Sequence, residues 1–200
     1  AAPAEPEDEE QTPEAVVVTQ EPSEEPVRPE PGGYGNAGAG LKVNCETSVG
    51  IVSTRLHRVG KNGNESSVRL PSAVLPVDLA TNGREMVVVA AGNAFTSSLP
   101  QLFVVHKDQV QHGRQDCVST VKGTVPGQAV AASFDGHDEL VVQTREPAAL
   151  HIMTADRRRA WKTIVLSTDS VADTGHAIFH SNAGANIACA SCHAEGMDDG

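Results

Sequence analysis

Cys189-Ala190-Ser191-Cys192-His193 places two thiols and an imidazole within five residues. Thiols three positions apart on one helical turn reach the two vinyl groups of a single haem and form thioethers with them. The residue that follows then turns its imidazole toward the iron. This spacing predicts one covalent haem c site, with Cys189 and Cys192 as attachment residues and His193 as the axial iron ligand. The second ring nitrogen of such a histidine donates to a backbone carbonyl in most sites. Two other chemistries use cysteine pairs. A thioredoxin-like redox pair belongs in a βαβ context, and none is visible. A zinc site needs a second ligand pair, and His176 and His180 stand at a spacing outside the usual zinc patterns. Met197, four residues past His193, falls on the proximal side and is a poor distal ligand.

Haem c attachment takes place outside the cytoplasm, where disulfides persist. That sets the expected location as periplasmic, cell-surface or secreted, in a bacterium. The remaining cysteines, Cys45 and Cys117, are then either a disulfide or two buried thiols. A bridge closing so long a loop would stabilise the fold by about 4 kcal/mol.

The other histidines, His57, His106, His112, His137 and His151, are scattered and read as surface or edge residues. Asp135, Asp138 and Glu139 cluster in a turn and read as a solvated hairpin tip. The chain carries a formal charge of −11. Residues 1–31 hold ten of its 26 acids and one of its 15 bases, so the body is close to neutral. This is not the basic footprint of a nucleic-acid binder. The triplet Arg157-Arg158-Arg159 is too short to change that and reads as a solvated turn. No phosphate-binding glycine loop is present, and no catalytic triad can be read from residue order.

Three segments would position the motif. Residues 1–31 carry seven of the twelve prolines and one apolar patch, Val16-Val17-Val18. Such a composition cannot bury enough surface to offset its chain entropy. With the glycine-rich stretch that follows, residues 1–40 are expected to be a disordered acidic linker, a tether to a surface or membrane or a plain terminus. The start lacks an initiator Met and any apolar run of signal-peptide length, and reads as a mature or cropped end. Residues 41–168 alternate short apolar runs with turn pairs such as Asn82-Gly83 and Asp135-Gly136, the pattern of antiparallel hairpins. Two hairpins align when Gly83 is set on Gly136, an offset of 53, and each is followed by a further strand. A four-stranded unit recurring at this period suggests propeller blades. Residues 169–200 hold the haem motif.

The hairpin region resembles surface-layer and YVTN-type β-propeller repeats, in which a Pro-led strand enters an Asn-Gly or Asp-Gly turn. Two to three blades are covered, and a propeller needs at least four. Gly175-His176-Ala177-Ile178-Phe179, followed by Ile187-Ala188-Cys189-Ala190-Ser191-Cys192-His193, resembles the opening of the di-haem cytochrome c peroxidase family. The order of segments is similar to that of bacterial propeller–cytochrome fusions. This resemblance implies a helix before the attachment site, a distal ligand downstream and a second haem site. Neither of the last two lies in these residues, so the chain reads as an N-terminal portion of something longer. The expected architecture is mainly β, with propeller-like blades between an acidic tail and the start of an α-helical cytochrome c domain. The expected function is electron transfer through covalent haem to an unidentified redox partner, or peroxide reduction if the family resemblance extends to activity. The alternative is a propeller that acts as a binding or scaffold module.

Overall fold

Alternating apolar residues with β-branched enrichment dictate strands, and strands are the main element of the described residues. The computed structural model describes residues 15–22, 52–60, 63–94, 99–110, 114–115, 118–169, 172–183 and 186–193. Among the described residues twelve strands form three four-stranded sheets. The first sheet has the order β1 (Ala15–Pro22), β2 (Val52–Val59), β3 (Glu65–Leu70) and β7 (Arg114–Gln115). It is antiparallel except where β3 pairs parallel with β7. The second is an antiparallel meander of β4 (Pro76–Thr81), β5 (Glu85–Ala90), β6 (Leu102–His106) and β8 (Val121–Gly123). The third repeats that meander with β9 (Ala129–Phe134), β10 (Leu140–Thr144), β11 (Ala149–Met153) and β12 (Ala160–Val165).

Two apolar layers hold the sheets face to face. Met86, Val88, Ala90, Phe103 and Val105 of the second sheet pack on Leu56, Val68 and Leu70 of the first. From the same strands Val87, Val89, Leu102 and Val104 point the other way, onto Leu140, Val142 and Met153 of the third. Strand β5 is therefore buried on both faces and reads as a continuous apolar run, whereas β10 alternates. Four-stranded meanders stacked on their faces are how propeller blades pack, and the fold is mainly β and propeller-like.

The repeat is real, but its register differs from the simple alignment. The first strands match at 53 residues, Thr81 with Phe134, and the second strands at 54, Met86 with Leu140. The turn at Asp135–Glu139 is one residue longer than the turn at Asn82–Glu85. One residue reverses the face of a strand. The extra residue is thus what lets Leu140 face the second sheet as Met86 faces the first.

Polar side chains stitch the sheets together. Gln101, buried, donates to the carbonyls of Val125 and Gly127 (both 2.9 Å) and accepts from the Ala129 amide (2.7 Å). The Ala132 amide donates to Asp78 Oδ2 at 2.7 Å.

Three expectations are corrected. Within the segment expected to be a disordered linker, Ala15–Pro22 is a strand paired along its whole length with β2. Val16 and Val18 pack on the first core, and Glu21 reaches Arg55 (3.3 Å) and His57 (2.9 Å). Local composition argues against order there, but the pre-formed edge of β2 supplies the backbone partners. Arg157, expected in a solvated turn, is 9% exposed. Its Nε pairs with Glu85 Oε2 at 3.1 Å, Nη2 donates to the Asp138 carbonyl at 2.9 Å, and the guanidinium lies over the Phe134 ring. His151, expected at the surface, is 1% exposed in β11. Cys45 and Cys117 lie outside the described residues, as do His112 and Met197.

Candidate haem attachment site

After β12 the chain leaves the sheets. Asp173 caps helix α1 (Thr174–His180), its carboxylate accepting from the amides of Gly175 (2.8 Å) and His176 (3.2 Å). This is an ordinary N-cap. The chain then forms a single 3₁₀ turn, Cys189–Ser191, that holds the motif. The amides of Cys192 and His193 both donate to the Cys189 carbonyl, at 3.2 and 3.0 Å. Ser191 closes the turn: its amide donates to the Ala188 carbonyl (3.0 Å), and its hydroxyl accepts from the Ala188 amide (3.2 Å).

The turn is anchored beneath and open above. Ala188, 1% exposed, packs with Val74, Leu75 and Ala91, and Ala190 adds to that contact. Gly92 donates to the Val74 carbonyl (3.0 Å) and its own carbonyl accepts from the Asn182 amide (3.2 Å). A Cβ on Gly92 would fall 2.6 Å from Val74 Cγ1, so only glycine allows this approach. Cys189, Cys192 and His193 are all exposed. The spacing thus brings the expected residues together on one helical turn, and their donor set fits a covalently attached haem: two accessible thiols followed by an accessible imidazole. Among the described residues no three or more His, Cys, Asp or Glu side chains converge as a metal site. Thioether attachment needs no such convergence.

His176 and His180 are engaged elsewhere. Their rings lie against each other with centroids 3.9 Å apart and planes tilted by 34°. Arg145 Nη1 lies 2.8 Å from both ring nitrogens of His176, and His176 Nε2 donates to Gln128 Oε1 at 3.0 Å. Burial holds the His176 pKa below the ordinary histidine value, with His180 and Arg145 adding to the effect against Asp173. His180 Nδ1 donates to the His176 carbonyl at 2.9 Å. These contacts fasten α1 to the third sheet. Beside them is a cleft of about 310 Å³ lined by Gln128, Arg145, Glu146, Asp173, Thr174 and His176, among others.

Of the remaining candidates, His106 and His137 are exposed. His57 joins Thr19, Glu21 and Glu65 on the first sheet. Asp135 is a turn former, its Oδ1 accepting from the His137 and Glu139 amides (both 2.8 Å), while Asp138 pairs with Arg84 of the neighbouring hairpin. The anchors Ala188 and Gly92 and the partners Gln128 and Arg145 were not picked out in sequence. The one available signal was the small-residue run Ala90-Ala91-Gly92, which permits close approach of another segment.

No protein-family model matches the chain, and no curated protein matches it. Among solved structures, a luciferin-regenerating enzyme is similar at 13% identity, over 56% of this chain and 36% of that one, with a TM-score of 0.41. The chain thus matches little more than a third of that structure's length. The propeller-like architecture rests on the three stacked sheets themselves.

Proposed function

We propose that this chain is an extracytoplasmic electron-transfer protein in which a propeller-like scaffold presents one covalently attached haem c. The observation that carries this reading is the exposed Cys189-Cys192-His193 turn, held in helical conformation by Ser191 and anchored through Ala188. Cys189 and Cys192 would hold the group as thioethers, and His193 would supply a nitrogen ligand to its iron. A bound haem c would supply a one-electron iron couple. The sheets give the turn a rigid base, since a site on packed elements holds its geometry better than one on a free loop. A peroxide-reducing activity of the di-haem peroxidase type, the surface-layer or YVTN kinship of the blades, and tethering through the N-terminal tail belong to the same proposal.

The test is expression with a haem c maturation system, followed by haem staining of a denaturing gel. Wild type should retain stain through denaturation, and Cys189→Ala with Cys192→Ala should lose it. Stain retained by the double variant, or never acquired by wild type, overturns the reading.

A second reading, a binding module whose ligand recognition is the main role, is favoured by the cleft beside Arg145 and His176. A ligand there would meet a guanidinium, an amide and two carboxylates against an apolar floor. Ligand or partner capture by the haem-free double variant, lost on Arg145→Ala, would support it.

A further inference from the structure

We infer that the cleft between α1 and the third sheet holds a small zwitterion of the free α-amino acid class, which rests on the second reading above, that this cleft is a ligand site. Comparison of the two repeated sheets shows what sets the cleft apart. In the second sheet the Ala91 amide donates to the Leu75 carbonyl at 3.0 Å, and in the third the Arg145 amide donates to the Gln128 carbonyl at 2.9 Å. Gln128 is therefore the equivalent of Leu75, and Arg145 of Ala91. The second sheet uses its pair, with Val74, to grip Ala188 in an apolar contact. The third sheet carries an amide and a guanidinium at the same places, and the cleft of about 310 Å³ lies beside them. That volume is at the small end of ligand pockets, which span roughly 300–1,000 Å³.

Gln128 is built into the floor of the cleft. It is 4% exposed. Gly127 before it has a φ of +84°, and a Cβ there would fall 2.3 Å from the Glu146 carbonyl oxygen. Glycine alone lets this segment approach the Arg145–Glu146 turn so closely. His176 Nε2 donates to Gln128 Oε1 at 3.0 Å, which takes the oxygen end of the carboxamide. Its Nε2 has no acceptor among the described residues. A largely buried amide donor without a protein acceptor is satisfied only by what occupies the space beside it.

The charges select the occupant. Arg145 Nη1 rests against the His176 ring at 2.8 Å, and no described carboxylate pairs with the guanidinium. Glu146 and Asp173 line the same cleft. Opposite charges that share so small a space without neutralising each other leave both signs to a ligand. A ligand carboxylate accepts from Arg145 and from Gln128 Nε2, a planar acceptor matched to a guanidinium. The ligand ammonium donates to Glu146 and to the Asp173 oxygen that does not cap α1. A lone anion meets two carboxylates at close range. A lone cation leaves Arg145 and Gln128 Nε2 unanswered. An α-amino acid, with both charges on one carbon, answers all four groups.

The test is calorimetric titration of the full chain near neutral pH with each standard α-amino acid, and with acetate and methylammonium as single-charge probes. At least one amino acid should bind with a dissociation constant below about 1 mM, and both single-charge probes should bind at least about 10-fold more weakly. Arg145→Gln, at an exposed position, and Glu146→Gln should each weaken amino-acid binding by about 10-fold or more. Far-UV circular dichroism should match wild type in both. If Glu146→Gln disturbs the fold, Arg145→Gln decides alone. Acetate or methylammonium binding as tightly as any amino acid, and lost in Arg145→Gln, overturns the zwitterion and keeps the cleft as a ligand site. Failure of every amino acid to bind also overturns the zwitterion, and the second reading then stands or falls on Arg145-dependent capture of another ligand or partner. Amino-acid binding that ignores Arg145→Gln puts the site elsewhere and overturns the assignment as well.

Discussion

His151 occupies in the third sheet the position that Phe103 occupies in the second. Phe103 pairs with Val88 and His151 with Val142, and both side chains are buried against the preceding sheet. An imidazole is tolerated at a phenylalanine position because two hydroxyls satisfy it. Thr144 Oγ1 lies 3.1 Å from Nε2, and Thr163 Oγ1 lies 3.0 Å from Nδ1. One ring nitrogen donates and the other accepts, which is the neutral form.

Burial holds the His151 pKa below 6.5. The unfolded chain therefore takes up a proton that the folded chain refuses. The resulting stability is fully present above pH 6.5 and is lost as pH falls from there through the folded-state value. Urea unfolding midpoints should drop between pH 7.5 and pH 5, roughly the histidine range. That part of the drop should be absent in His151→Phe. An unchanged pH slope in the variant would assign it to other groups.

Arg157 joins the second and third sheets through Glu85 and the Asp138 carbonyl. Arg157→Ala leaves the largely buried Glu85 carboxylate without this partner and should cost about 3 kcal/mol. Glu85→Gln keeps a hydrogen-bonding group and should cost less. Chemical denaturation of both variants, with the double variant closing the cycle, measures their coupling.

Glu21 ties β1 to the sheet through Arg55, whose side chain is 0% exposed. Glu21→Ala should destabilise by about 2 kcal/mol, because Arg55 keeps its charge in a buried place. An extended, unpaired tail would show no effect beyond the few tenths typical of a surface substitution. Denaturant unfolding distinguishes the two.

Gly92→Ala forces a methyl into Val74 and should cost about 1–3 kcal/mol. Val74→Ala in the same chain should recover part of that loss, despite its own cavity cost. Because Gly92 also accepts from Asn182, the single variant should loosen the segment that leads to Cys189. Faster thiol labelling of Cys189 and Cys192 reads this out, with unchanged labelling arguing that the turn is held by Ala188 alone.

Local conformation written in neighbouring residues was legible in the sequence. The Cys189–His193 motif forms a helical turn because its spacing is a property of five consecutive residues. Asn82-Gly83 and Asp135-Gly136 form hairpin turns because φ and side-chain capping are local, and the apolar runs between them become strands. Tertiary structure alone decided whatever depends on partners far along the chain. The extra residue at Asp135–Glu139 reversed a strand face and put His151, rather than another apolar side chain, into the core. An exposed-looking valine patch became β1 because β2 offered an edge and Arg55 a buried charge to answer Glu21. Arg157 left its solvated turn for Glu85, seventy-two positions away. In each case the deciding energy is desolvation or pairing across sheets, which composition and periodicity do not record.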